Sequence, residues 1–161
     1  MADTLAVAKY LNDLWRNEHI DENGMPFDMS PSRLNHMMYF VQRESIIKSK
    51  RDATLFGGDI MGWSYGPVVT MLRNELKKGN GIQSDATLSE ADQALIRGTY
   101  ERYRDYPTRT LDRLCHEAFS WQYSRIGLTA DEIGDAPIKR NALLIDAIHE
   151  EIRRELEEQD A

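Results

Sequence analysis

The chain has 161 residues and a mass of 18.6 kDa, within the usual range of about 100–200 residues for one domain. Apolar residues make up 41% of it, enough to form a buried core, and 20 basic against 27 acidic residues give a net charge of −7. An acidic balance of this size argues against nucleic acid or an anionic membrane as the main partner.

The cysteine content and the absence of targeting signals indicate the cellular compartment. The single cysteine, Cys115, excludes an intramolecular disulfide and a cysteine-based zinc site. The first residues carry an early acid and no apolar signal segment, and no apolar run approaches the roughly 20 residues that span a bilayer. We therefore expect a cytoplasmic protein.

Apolar spacing predicts a first helix that is capped by Asp3 or Thr4. Its apolar residues recur three and four positions apart and are Val7, Ala8, Leu11, Leu14 and Trp15. Turn-forming residues predict a loop over residues 17–29. Ser30 then provides an N-cap, and Pro31 a first helical position, for a second helix that is apolar on most of its circumference. Such a helix is typical of the centre of a bundle.

Residues 54–63 predict a β-hairpin. Two short apolar runs flank Gly57–Gly58, and glycine accepts the positive φ of tight hairpin turns. Gly66–Pro67 is expected to begin a third helix, which ends at the glycine-rich segment after Lys77. The residues expected on the inner side of that helix are Val68, Met71, Leu72 and Leu76.

Three further helices complete the predicted fold. Ser89 caps the fourth, the fifth follows Pro107, and the last begins at about Ile138. The fourth is expected to bury Ala91, Leu95, Thr99 and Tyr103, and the fifth Leu111, Leu114, Cys115, Ala118 and Phe119. The last is expected to bury Ile138, Ala142, Ile145, His149, Ile152 and Leu156. The prediction is a mainly α, compact bundle of about six helices with one short β-hairpin, in a single domain over residues 1–161.

The sequence contains no nucleotide-binding or nucleophile-elbow motif. His149 lies on the predicted apolar stripe of the last helix and is interpreted as a packed core histidine. Cys115 and His116 are neighbours, but adjacent helical residues point about 100° apart, and Cys115 falls on the apolar face. We therefore expect no catalysis, no cofactor and no metal site. The alternative is an enzyme whose activity depends on Cys115 or His116.

The densest unusual stretch is Trp63–Val69, which combines two aromatic residues with Gly66 and Pro67. Two interpretations remain open. The residues can shape a strand–helix junction, since Gly66 accepts unusual backbone geometry and Pro67 fixes φ. They can also form an edge that binds a partner.

The run Trp63-x-Tyr65-Gly66-Pro67-Val68 resembles the signature of the Panacea domain, the SocA-like antitoxin family. Three weaker blocks agree in order. They are residues 7–11, residues 34–40 with His36 where the family usually has lysine, and Leu114-Cys115-His116 followed by Trp121. The resemblance covers about residues 5–121 of the chain.

The resemblance implies a mainly helical antitoxin that neutralises a cognate protein toxin by direct contact. One branch of the family instead works as a proteolytic adaptor that delivers its toxin to a ClpXP-type protease, and that alternative stays open. A third alternative is a phage-borne protein that counters a host defence.

The contact residues are predicted from residue type. Interface energy concentrates in Trp, Tyr and Arg side chains. The partner-binding candidates are therefore Trp63, Tyr65, Arg43 and Arg73. Residues 145–161, with seven acids against two arginines, are interpreted as a solvated helix end.

Overall fold

The computed structural model describes residues 1–160, and within them it has seven helices and two strands. In chain order these are α1 (Thr4–Glu18), α2 (Pro31–Lys48), β1 (Ile60–Trp63), β2 (Gly66–Val69), α3 (Thr70–Lys77), α4 (Glu90–Tyr103), α5 (Thr108–Glu117), α6 (Phe119–Ser124) and α7 (Arg140–Asp160). The predicted fold class, mainly α with one short antiparallel hairpin, is confirmed. No helix in this range is both long and apolar enough to cross a membrane.

Helix α2 lies at the centre of the fold, as its sequence predicts. Its first turn is held by the Ser30 side chain, which accepts a hydrogen bond from the Arg33 backbone N–H, and Pro31 occupies the first helical position. The helix packs against α1, α4, α5, α7 and β2. Tyr39 and Phe40 are fully buried within it. The remaining helices are therefore arranged around α2.

The hairpin exists, but the predicted turn at Gly57–Gly58 is wrong. The strands pair Ile60 with Val69 and Trp63 with Gly66, so the chain turns at Ser64–Tyr65. The run before Gly57 is not paired in the hairpin. Its backbone N–H groups at Leu55 and Phe56 donate instead to the side-chain oxygen of Gln42, at 3.0 and 3.1 Å. A buried side chain of α2 thus takes the place of a partner strand.

The third helix begins at Thr70, and the predicted start at Gly66–Pro67 is wrong. Residues 66–69 are strand β2, and the Val69 N–H is fixed to α2 by a 2.8 Å hydrogen bond to the Asn35 side chain. Leu72 is buried as expected, but Met71 is 45% exposed.

The fifth predicted helix is divided in two. Ala118 is extended, with ψ 131°, so α5 ends before it and α6 begins after it. The following segment then covers the free edge of β1. The N–H of Gly62 donates to the Ala136 carbonyl at 3.0 Å, and that of Ile138 donates to the Ile60 carbonyl at 2.7 Å. An otherwise open strand edge is thereby closed.

Two predicted inner faces are only partly correct, and the larger error concerns α7. Its buried residues are Ala142, Leu143, Asp146, Ala147 and Glu150, whereas His149 is exposed rather than packed in the core. The reason is a buried set of polar partners. Asp146 accepts hydrogen bonds from Tyr39 at 2.7 Å and from Ser120. On α4, Thr99 and Tyr103 are buried as predicted and Leu95 is partly buried, but Ala91 is exposed and Ile96 and Tyr100 are buried as well.

Candidate partner-binding groove

A groove of about 570 Å³ opens beside the hairpin, and we call it the hairpin groove. Its walls come from the start of α2, from the hairpin and from α3, with Asp112 of α5 at one side. Its lining residues are Pro31, Ser32, Asn35, His36, Tyr65, Pro67, Val68, Arg73, Leu76, Lys77 and Asp112. Most of the exposed lining is apolar. A concave apolar wall with a few polar groups is the usual form of a binding site.

The signature residues form one wall of the groove. Gly66 has φ 121°, a conformation that is strained for any residue with a side chain. This conformation lets the chain pass directly from the turn into β2. Tyr65, in the turn itself, is 56% exposed, and Pro67 and Val68 line the groove behind it. Both interpretations of this stretch therefore have a structural basis: it shapes a junction, and it lines a cavity.

Three of the four predicted contact residues lie together. The Arg73 guanidinium lies 5.0 Å from the centre of the Trp63 ring, and that ring meets Tyr65 edge-on at 6.0 Å. Trp63 is half-buried behind Arg73, whereas Arg73 and Tyr65 face the groove. Arg73 is thus held by a cation–π contact with its charge at the rim.

The fourth predicted contact residue, Arg43, lies in the interior on α2. Its guanidinium donates to the Tyr103 hydroxyl, lies 5.1 Å from the Phe40 ring centre and is 3.8 Å from the Glu150 carboxylate. The side chain is only 12% exposed. Arg43 is not among the residues that line the hairpin groove, and its role in partner binding stays a prediction.

Two basic residues and one acid are the charged residues that line the groove. Arg73 and Lys77 are four residues apart on α3 and so project from the same side. Neither forms an ion pair with another residue in the range 1–160. Two unneutralised cations beside an apolar wall suit a ligand that carries an apolar group next to a carboxylate.

Two histidines flank the single acid of the groove. Asp112 lies 3.5 Å from the Nε2 of His36 and 3.4 Å from the Nδ1 of His116. Burial lowers the pKa of His36, and the charge of Asp112 only partly offsets this, so His36 is neutral at pH 7. Its Nδ1 is buried and has no hydrogen-bond partner among the described residues. His36 therefore contributes a neutral polar side chain to the lining of the groove.

Cys115 is fully buried beside this cluster. Its burial raises the pKa of the thiol, which disfavours the thiolate that a nucleophile needs. His116 is half-buried, and its Nδ1 lies 2.8 Å from the backbone carbonyl of Asp112. Within residues 1–160 no group of three or more His, Cys, Asp or Glu side chains is placed to hold a metal ion.

Sequence reasoning missed several groove residues that the fold brings together. Lys77 could have been found from its position four residues after Arg73 on the predicted helix. Asn35 and His36 lie inside the second resembling block, but the contact of Asn35 with Val69 depends on the strand that was predicted as helix. No local signal marks Asp112, which α5 brings to the groove from far along the chain.

Comparison with known proteins agrees with the signature that forms this wall. The model of the family described as "Antitoxin SocA-like, Panacea domain" matches residues 34–122, more than half of the chain. The match runs from α2 to α6 and includes the hairpin, whereas α1 and α7 lie outside it. Searches of curated proteins and of solved structures found no match. On the strength of the family match, this chain belongs to the SocA-like antitoxin family with the Panacea domain.

Proposed function

We propose that the protein is an antitoxin that neutralises a protein toxin by direct, non-catalytic contact, and that the hairpin groove takes a segment of that toxin. The observation that carries the proposal is the position of the family signature. Tyr65, Pro67 and Val68 form a wall of the hairpin groove. Signature residues that line a cavity and leave an aromatic ring exposed suit a binding role.

The chemistry of the groove suggests what the toxin segment carries. The apolar wall suits a buried aliphatic or aromatic side chain. Arg73 and Lys77 suit a carboxylate beside it, because both cations lack an acidic partner within residues 1–160. We therefore propose that the toxin inserts an apolar residue next to an Asp, a Glu or its own terminal carboxylate.

The test is co-expression with the product of the neighbouring gene, read by growth rescue and by the affinity of the purified pair. Reversing both charges, with Arg73→Glu and Lys77→Glu, is expected to weaken binding by at least about tenfold, or about 1.4 kcal/mol, and to reduce rescue. The matched control is Lys48→Glu with Arg102→Glu, the same change in net charge at two exposed positions outside the groove.

The outcomes separate the parts of the proposal. Rescue by the control but not by the groove variant supports the groove as the contact. Full rescue by both variants overturns the groove as the contact surface. No complex and no rescue with the unmodified protein overturns the antitoxin function for that gene pair.

A further inference from the structure

The outward face of α7 carries an apolar stripe that no other part of the described structure covers. Ile145, Ile152 and Leu156 are 36%, 49% and 55% exposed, and the exposed His149 lies between them. These four positions fall within an arc of about 60° and extend along about 16 Å of the helix axis. Single exposed apolar residues are common, but an aligned stripe on one helix face is a feature of binding surfaces.

The inner contacts of α7 prevent the helix from rotating to bury this stripe. Asp146 and Glu150 point inward, and Asp146 accepts from Tyr39 at 2.7 Å. Arg154 joins two carboxylates, donating to Glu44 and to Glu150 at 2.8 Å each. A half-turn of the helix would break these buried ion pairs, so the fold fixes the stripe toward solvent.

The stripe has an acidic border. Glu155 lies beside one edge and Asp160 near the other, and neither forms an ion pair with another residue in the range 1–160. Glu151 lies farther round the helix and is paired with Arg51 at 3.6 Å. Arg153, the cation on the side of Asp160, is already paired with Glu150 at 2.7 Å and with Glu157. An anionic membrane would be repelled by this border, and a second copy in parallel would place acids against acids.

We propose that this face of α7 binds an amphipathic helix of a partner protein, with an apolar side that meets the stripe and with Lys or Arg residues along its flanks. The apolar contact supplies affinity and the basic flanks fix position. Phe119 and His149 line one cleft, which continues the stripe toward α6 and would limit sideways movement of the partner helix. The proposal does not depend on the hairpin groove, since α7 lies outside the residues that match the family model.

The experiment uses the full-length protein and a synthetic helical probe of about 18 residues, with leucine on one face and lysine on both flanks. A second peptide replaces every lysine with glutamate. Binding is measured by fluorescence anisotropy at near-physiological salt. The unmodified protein is expected to bind the lysine peptide at least about tenfold more tightly than the glutamate peptide.

The decisive variant is Ile152→Glu with Leu156→Glu. Both changes add negative charge and would by themselves attract the lysine peptide, so a loss of affinity reports the apolar contact. We expect a loss of about tenfold or more. The matched control places the same substitutions at Ile126 and Ile133, which are 74% and 61% exposed and lie outside α7, and it should retain binding.

Two results would overturn the proposal. One is equal affinity of the lysine peptide for the α7 variant and for the control. The other is a dimer of the unmodified protein, detected by sedimentation, that the α7 variant alone dissociates. That second result would make another copy of this chain the occupant of the stripe.

Discussion

His36 shows how one buried residue can make stability depend on pH. Burial lowers the pKa of its imidazole below the ordinary 6.5, so the unfolded chain binds a proton more readily than the folded one. The contribution of His36 is therefore complete above pH 6.5 and is lost as the pH falls below it. We expect the free energy of unfolding to drop less between pH 7.5 and pH 5.5 in His36→Gln than in the unmodified protein.

Urea unfolding at those two pH values measures this difference. His149→Gln is the matched control, because it removes a histidine that is exposed on α7. An equal drop in both variants would show that burial of His36 does not set this pH dependence.

Among individual polar residues, the sequence predicted those whose role depends on near neighbours and missed those whose role depends on distant ones. Ser30 and Ser89 were identified as caps, and Asp3 as one of two candidates, because capping depends on a few neighbouring residues, and all three accept a backbone hydrogen bond. His149 was misplaced, and the interior position of Arg43 was not foreseen, because the environments of both residues depend on distant parts of the chain. Arg43 is held inside by Tyr103 and Glu150, and no local pattern contains that information.

At the level of elements, the hairpin depends on the conformation of Gly66. Its φ of 121° lies where an L side chain is strained, and an added Cβ would lie 3.5 Å from the His36 Nε2. We expect Gly66→Ala to lower the free energy of unfolding by about 1–3 kcal/mol. There is room for the added methyl group, but alanine is strained at this positive φ.

Thermal or urea unfolding tests this expectation against Gly98→Ala. Gly98 lies inside α4, and its Cβ would meet nothing within 4 Å, so that variant should gain about 0.5–1 kcal/mol. A stable Gly66→Ala protein would mean that the turn can change its geometry, and that the groove wall is less rigid than its backbone suggests.

The elements predicted best were those whose ends carry explicit signals. α1, α2 and α4 begin at the expected caps, and α3 ends before the expected glycines. The hairpin was assigned to Gly57–Gly58 because a two-glycine turn is a strong local signal. The Gln42 side chain outweighs that signal by bonding the backbone of Leu55 and Phe56, a contact visible only in three dimensions.

At the scale of the whole molecule, the buried ion pairs around Glu150 join three helices. Arg43 and Glu44 belong to α2, Tyr103 to α4, and Glu150 and Arg154 to α7. The buried face of α7 combines Glu150 with Asp146 and with the apolar residues Ala142, Leu143 and Ala147, so polar contacts as well as apolar packing orient the last helix. Apolar periodicity alone could not predict this, because the inner partners of α7 come from α2, α4 and α6.

This cluster predicts a specific loss of stability in acid. Burial by itself would raise the pKa of Glu150, but its hydrogen bonds with Arg153 and the charges of Arg43 and Arg154 outweigh that effect and lower it to about 2. Because the ordinary value is 4.5, the contribution of Glu150 is complete above pH 4.5 and is lost as the pH falls toward 2. Glu150→Gln should therefore lower the free energy of unfolding at pH 7 by about 1.5–3 kcal/mol.

The difference in the free energy of unfolding between the unmodified protein and Glu150→Gln should narrow as the pH falls from 4.5 to 3. Protonation of Glu150 then removes the charge that the variant already lacks. Urea unfolding across that range measures it, with Glu158→Gln, an exposed carboxylate on the same helix, as the control. A gap that stays constant with pH would mean that Glu150 contributes through shape and packing rather than charge. In that case apolar packing, not the ion pairs, would hold α7 with its apolar stripe facing outward.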